Sequence, residues 1–310
     1  MKVSVLYPGQ PESPSAVAPY AQFVRRDEAA RLWLGQSLRA EPHQVAAYLA
    51  GSGSAVPVGT SVTLMPLRGA YEAALQARSL AVLTGHPYVA GFGASTPDVV
   101  RALTGRPYDR PASALGDYLS TIRSLLRDET VNGMRLAPLR HPGVEVGAGV
   151  LRPGMARVAG ATADVAVTWM TSPEYLRTVV VPALRAGAGD DRPVPRIVTV
   201  AHVATSRPDR NPERLAYLAA GQHLRAAHYV DMLCRAGLSV STSDPRGGAR
   251  ALVGSGLFTY DAPDGIVERL AAYAAAGVDE LVLNPCGVLL AEGEQAAVDD
   301  IAAILKAWEA

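Results

Sequence analysis

The feature that most constrains this chain is a regular alternation of short apolar runs with longer stretches of helical period. Lys2-Val3-Ser4-Val5-Leu6-Tyr7, stopped by Pro8-Gly9, reads as a buried strand running into a loop. A helix is expected over 18–30, a second strand over 31–35, and a helix over 44–50 that stops at Gly51. The pattern repeats with a strand over 58–65, a helix over 71–83 and a strand over 87–92. At Thr96-Pro97-Asp98 a capping hydroxyl, a proline at the first helical position and an acid near the positive end of the dipole start another helix. Further strands read at 144–147, 163–169, 196–204 and 280–284. Before the last of them, Ile266, Val267, Leu270, Tyr273 and Ala274 share one helix face, with Asp261 to cap its start and Gly277 to close it. Eight strands with intervening helices predict an α/β fold, a single TIM (β/α)8 barrel. An open doubly wound sheet also alternates, so the strand count selects the barrel. Segments 128–143 and 237–260, the latter with the turn Asp244-Pro245-Arg246-Gly247-Gly248, do not fit the repeat and read as insertions or mobile loops.

The 310 residues are within reach of one barrel, and no low-complexity linker divides them, so 1–310 is read as one domain. The charged fraction of 19% lies below the roughly 25% of ordinary chains, and 49% of residues are hydrophobic, which excludes a disordered tail and leaves ample core. Lys plus Arg number 29 and Asp plus Glu 29, so no net field draws the chain to nucleic acid or to an anionic membrane, and neither is expected as a partner. Cys234 and Cys286 lack metal or redox spacing, and the N-terminus lacks a basic stretch followed by an apolar one; a reduced, cytoplasmic protein is expected. No 18-residue apolar window suggests a membrane span. The six histidines form no HExxH array. His223 and His228, five apart, would point about 140° apart on one helix, so no metal site is expected. His202, in the seventh strand, is placed to point to the barrel mouth, but the reading preferred is a satisfied structural histidine; Asp231, Glu174 and Arg177 read as solvated helix charges.

Several runs carry more than periodicity: Gly59-Thr60-Ser61-Val62-Thr63, Gly91-Phe92-Gly93, 105–111, and 152–164 with Arg152-Pro153-Gly154-Met155, followed by 167–171 and 276–280. In this order and across some 280 residues they resemble the luciferase-like oxidoreductase superfamily, and most of all its actinobacterial branch that depends on coenzyme F420. The resemblance implies a TIM barrel with a flavin or deazaflavin at the C-terminal ends of the strands. It implies a non-proline cis peptide at Ser61-Val62, with Thr63 beside it, backing the deazaflavin ring. It also aligns Arg152, Pro153, Gly154 and Met155 with a phosphate-binding turn. There a helix N-terminus and an Arg fork suit an anion, although the same residues serve an ordinary helix start. Gly91 to Thr96 lacks the third glycine of a dinucleotide fingerprint. The resemblance lays Gly93, Ser95 and Thr96 along the cofactor, with Thr96 equally able to be only a helix cap.

Many relatives end the second strand with an Asp-His pair facing substrate, where this chain has Gln36 and Ser37. Without that base, hydride delivery to a polarised double bond is favoured over alcohol oxidation. Tyr7 and Trp169, at strand ends, are expected as aromatic walls of the site. The expected activity is thus an F420H2-dependent reductase acting on an activated double bond of a small molecule or modified peptide, including a dehydroamino acid residue in a natural-product pathway. The same-fold alternative is an FMN-dependent monooxygenase using O2 and a partner reductase; a non-catalytic ligand-binding barrel is a third reading. Similar proteins commonly form homodimers through barrel helices, and no apolar stripe in the sequence identifies such a face.

Overall fold

The computed structural model describes residues 1–309. Its strands are β1 (Lys2–Leu6), β2 (Leu32–Leu34), β3 (Val58–Thr60), β4 (Thr63–Leu64), β5 (Tyr88–Gly93), β6 (Val144–Gly149), β7 (Val165–Trp169), β8 (Arg196–Thr205), β9 (Phe258–Asp261) and β10 (Glu280–Asn284). All pair in parallel. The order β10-β1-β2-β3-β5-β6-β7-β8 closes on itself through β8 and β10, whose register runs from Val198 opposite Glu280 to His202 opposite Asn284. The product is a closed barrel of eight strands ringed by helices, the TIM fold read from the alternation.

Because strand side chains alternate, every second residue enters the barrel. Leu6, Trp33, Val89, Val165, Val167, Val198, Val200 and Val282 fill its middle and are all buried. Trp33 is large enough to make glycine necessary opposite it: a Cβ on Gly59 would lie 2.8 Å from the indole ring. Below this apolar layer the Glu280 carboxylate accepts from Ser4 Oγ and from Trp33 Nε1, both at 2.7 Å, while Arg196 approaches it at 3.4 Å and Arg31 at 3.7 Å. A buried carboxylate satisfied in this way plugs the N-terminal end of the barrel. The residues on the opposite strand faces join the helices in one continuous outer core.

The structure corrects four expectations. The third strand is not continuous over 58–65: it breaks at Ser61 and Val62, resumes as β4 beside β5, and passes into a 3-10 turn at Met65–Leu67. The first helix begins at Pro14 and ends at Arg25, because proline is accommodated at the first helical position. Segment 237–260 is not a loop: Asp244 caps a helix, Pro245–Gly254, accepting from Gly247 N at 2.8 Å, and β9 then extends the far end of β8 from His202 to Thr205. Asp261 does not cap the helix Pro263–Ala275; its carboxylate accepts from Ala262 N and Arg269 Nε instead. Gly277 follows that helix at φ +88°, as a closing glycine should. Segment 128–143 has no helix or strand, only a bridge between Val131 and Met134, yet Leu136 is buried and Arg78 donates to the Ala137 carbonyl at 2.6 Å. Among the described residues no helix is long and apolar enough to cross a membrane.

Candidate active site

A barrel of this kind presents its chemistry where the strands end. A cavity of about 590 Å3 opens at the other end, lined by Lys2, Asp27, Ala30, Val56 and His86, near the starts of β1, β2, β3 and β5, where barrel conservation serves stability. The C-terminal mouth is built differently. The Ser61-Val62 peptide is cis, as the resemblance implies. Val62 projects into a gap left by glycines on two neighbouring strands. A Cβ on Gly93 would lie 2.8 Å from Val62 Cγ2, one on Gly91 would meet the Thr60 carbonyl oxygen, and one on Gly149 would touch Val62 at 3.4 Å. Thr60 and Thr63 both donate from Oγ1 to the Gly91 carbonyl at 3.1 Å, locking the broken strand to β5. The Ser61 hydroxyl is buried and has no hydrogen-bond partner among the described residues.

Gln36 serves the same bulge, whereas Ser37 bonds only within its own turn. Gln36 Oε1 accepts from Leu64 N at 3.2 Å and its Nε2 donates to the Ser37 carbonyl at 2.9 Å, so both ends of the amide hold backbone. Ser37 Oγ accepts from Arg39 N at 3.0 Å. Tyr7 lies in the outer core, edge-on to Tyr20 with ring centres 5.4 Å apart, and burial pushes its phenol upward. Ser95 stands at φ +67°, and Thr96 caps the helix Pro97–Thr104, accepting from Val99 N at 3.5 Å. Arg152 is the residue before the helix Pro153–Thr162, its guanidinium half exposed and 3.5 Å from Asp231. Nothing stands within 4 Å of a Cβ built on Gly154, while Met155 packs against the outer core.

Trp169 ends β7 at the mouth, where it meets His202; both ring nitrogens of that histidine lack a partner among the described residues, so it is not the satisfied structural residue expected. The Trp169 ring is edge-on to His202 at 5.5 Å and tilted on His223 at 5.5 Å; His223 in turn meets Tyr229 at 4.7 Å, and His228 meets the same Tyr229 at 4.6 Å. The expectation that His223 and His228 diverge on one helix fails because the chain breaks at Ala226, between a 3-10 turn (His223–Arg225) and a helix (Ala227–Arg235). Burial pushes His202 down to about 3 and His223 to about 4, each helped by the neighbouring histidine's charge, and burial with Arg152 lowers His228. Asp231 is not merely solvated: Arg235 and then Arg152 hold its carboxyl below the usual range. Glu174 and Arg177 do pair at the surface. Among the described residues no three His, Cys, Asp or Glu side chains gather as a metal site.

The arrangement can hold a flat group against the glycine-flanked bulge, an anion at Arg152 and a helix N-terminus, and a polar molecule beside Trp169 and the histidines. Solved structures similar to this chain share its barrel along nearly its whole length. The coenzyme F420 dependent tetrahydromethanopterin reductase from Methanopyrus kandleri is 16% identical with a TM-score of 0.69, covering 99% of this chain and 100% of its own. An F420-dependent secondary alcohol dehydrogenase, solved with an F420-acetone adduct, is 14% identical with a TM-score of 0.70 over 98% of both chains. The EDTA monooxygenase from Chelativorans sp. BNC1 is 15% identical with a TM-score of 0.66, over 99% of this chain and 93% of its own. A search of curated proteins finds no match. A family model described as luciferase-like monooxygenase matches residues 2–280, and the chain belongs to that family.

Proposed function

We propose that this protein is an F420H2-dependent reductase that delivers a hydride to an activated double bond, in a small molecule or a dehydroamino acid residue of a modified peptide. The observation that carries the reading is the mouth itself: a glycine-flanked Ser61-Val62 bulge with an orphaned hydroxyl, and, three residues beyond the Gly149 that touches Val62, an Arg at a helix N-terminus. Full-length likeness to two F420-dependent enzymes supports the choice of cofactor. The residues present fit a deazaflavin. Ser61, Val62 and Thr63 would back the ring, and Gly91, Gly93 and Gly149 keep that surface open for Val62. Ser95 and Thr96 would edge it, while Arg152 and the backbone N–H groups of Gly154 and Met155 would hold the acidic tail. A reduced deazaflavin supplies the hydride and reacts poorly with O2.

The protein's part is position and polarity. Trp169 walls the substrate side. Gln36 braces β4 through Leu64, which fixes the bulge rather than moving a proton, and an amide in place of a histidine base suits reduction of an alkene better than oxidation of an alcohol. Side-by-side titration with F420 and FMN tests the assignment: binding of F420 in the micromolar range or tighter, with negligible FMN binding, is expected. Arg152→Glu would set two acids, with Asp231, at the anion site and should weaken F420 binding by about tenfold or more. Unchanged affinity removes Arg152 from the site. A second reading, an FMN-dependent monooxygenase with a reductase partner, is favoured by the likeness to the EDTA monooxygenase; preference for FMN with substrate-dependent oxygen uptake would establish it.

A further inference from the structure

The third strand breaks between Thr60 and Thr63, and both sides of the break are tied to one carboxylate outside the barrel. Glu41 caps the helix Pro42–Gly51, where its Oε2 accepts from Gln44 N at 3.0 Å. Its Oε1 accepts from His43 Nδ1 at 2.6 Å and from Arg68 Nη2 at 3.3 Å. On the upstream side, His43 Nε2 lies 2.9 Å from the Tyr88 hydroxyl, which lies 3.4 Å from Thr60 Oγ1. Thr60 ends β3 and also accepts from Gly91 N at 2.9 Å, so this row of groups stops at the residue before the bulge. On the downstream side, Arg68 follows the 3-10 turn into which β4 passes. Its guanidinium is buried, Nη1 has no partner among the described residues, and Glu41 is the acceptor that holds Nη2.

Tyr88 belongs to the outer core and its neighbour Val89 to the inner one, so the row runs behind the sheet and touches no part of the mouth directly. Burial raises the Tyr88 phenol, which therefore stays a hydroxyl, able to donate to one neighbour and accept from the other. Desolvation raises the Glu41 carboxyl, but its contacts with His43, Gln44 and Arg68 together hold it below the usual range, so it acts as an acceptor for all three. Packing alone does not call for polar groups here, because apolar side chains of the same shape in place of a buried bonded pair cost little. What the bonds add is a fixed length and direction, and the backbone they fix is the one that flanks the Ser61-Val62 bulge.

We propose that Glu41, His43, Tyr88 and Arg68 are positioning residues of the active site, which fix both ends of the strand break and so the surface that Ser61 and Val62 present to the cofactor ring. This rests on reading the mouth as a deazaflavin site. Glu41 is the joint: cutting at Tyr88 frees the Thr60 side alone, cutting at Arg68 frees the downstream side alone, and changing Glu41 frees both.

Hydrogen–deuterium exchange of the full chain without cofactor, read by mass spectrometry over 58–68, tests the tie, and fluorescence titration with F420 tests its consequence. Tyr88→Phe keeps the ring and removes only the hydroxyl; it should speed exchange around Ser61 about tenfold and weaken F420 binding about fivefold. Arg68→Gln should speed exchange over 64–68 instead, and Glu41→Gln should speed both and weaken binding about tenfold or more. Tyr273→Phe is the control: it removes a hydroxyl from another buried tyrosine, whose bond goes to the Thr171 carbonyl, and should leave both readings within about twofold of the native chain. If Glu41→Gln does not fold, Tyr88→Phe and Arg68→Gln carry the comparison. Exchange over 58–68 that responds alike to Tyr88→Phe and Tyr273→Phe, or F420 affinity that Tyr88→Phe and Arg68→Gln leave unmoved, overturns the assignment. A native chain that ignores F420 and binds FMN sinks the cofactor reading alone; the same variants, titrated with FMN, then decide whether the four residues position the ring.

Discussion

Gly91 and Gly93 illustrate how a residue can be legible as important and be misread in purpose. In the sequence they stood out as a turn beside a cofactor, whereas in the structure their missing side chains make room for the Thr60 carbonyl and for Val62. The contact is between strands, so no spacing within Gly91-Phe92-Gly93 reports it. Gly91→Ala must displace backbone and should cost about 2–4 kcal/mol in urea unfolding. Gly93→Ala meets only a valine methyl and should cost less, about 1–2 kcal/mol, while weakening F420 binding more than stability by displacing Val62. Equal loss of folding and binding in both variants would argue against the bulge as the ring's support. Gln36 is the converse case: the substitution of the usual histidine was visible, but its two backbone hydrogen bonds were not, since Leu64 is brought to it only by the break after Thr60.

At the scale of elements, the alternation located every barrel strand within a few residues, because a buried parallel strand writes its own apolar run. It failed at β9 and the helix Pro245–Gly254, where Asp244-Pro245 reads as a turn and is in fact a cap with proline at the first helical position. It also missed how the end of β8 is fastened. Asp300, wholly buried on the last helix (Glu294–Glu309), accepts from Thr205 N at 2.8 Å, Thr205 Oγ1 at 2.7 Å, Arg207 at 3.1 Å and Arg210 at 2.6 Å, and Arg210 also forks onto Glu292. These partners lie some 90 residues apart, beyond any local pattern. Asp300→Ala leaves Arg210 buried with half its compensation and should destabilise the fold by about 3–5 kcal/mol in denaturant titration. A loss under about 1 kcal/mol would show that Glu292 alone suffices.

For the whole molecule, the mouth histidines make stability depend on acid. An unfolded histidine takes up its proton near pH 6.5, while His202 and His223 resist until about 3 and 4. Between those limits the unfolded chain binds more protons, so stability falls as pH drops below about 6.5, by up to about 1.4 kcal/mol per pH unit for each histidine. Urea midpoints between pH 7.5 and 5 read the histidines, with His228, also lowered, adding to the same slope, because carboxylates with lowered values, such as Glu41 and Asp231, contribute only in more acid solution. His202→Phe should flatten the slope; an unchanged slope would mean that the ring titrates normally in the fold.

The sequence by itself determined the barrel, its order of strands and its kinship, because strand and helix periods and glycine-rich motifs are written within a dozen residues of one another. Only tertiary structure decided that Trp169, His202 and His223 meet. Their contact depends on the β7–β8 register and on a helix break at Ala226, which join side chains that the chain holds far apart.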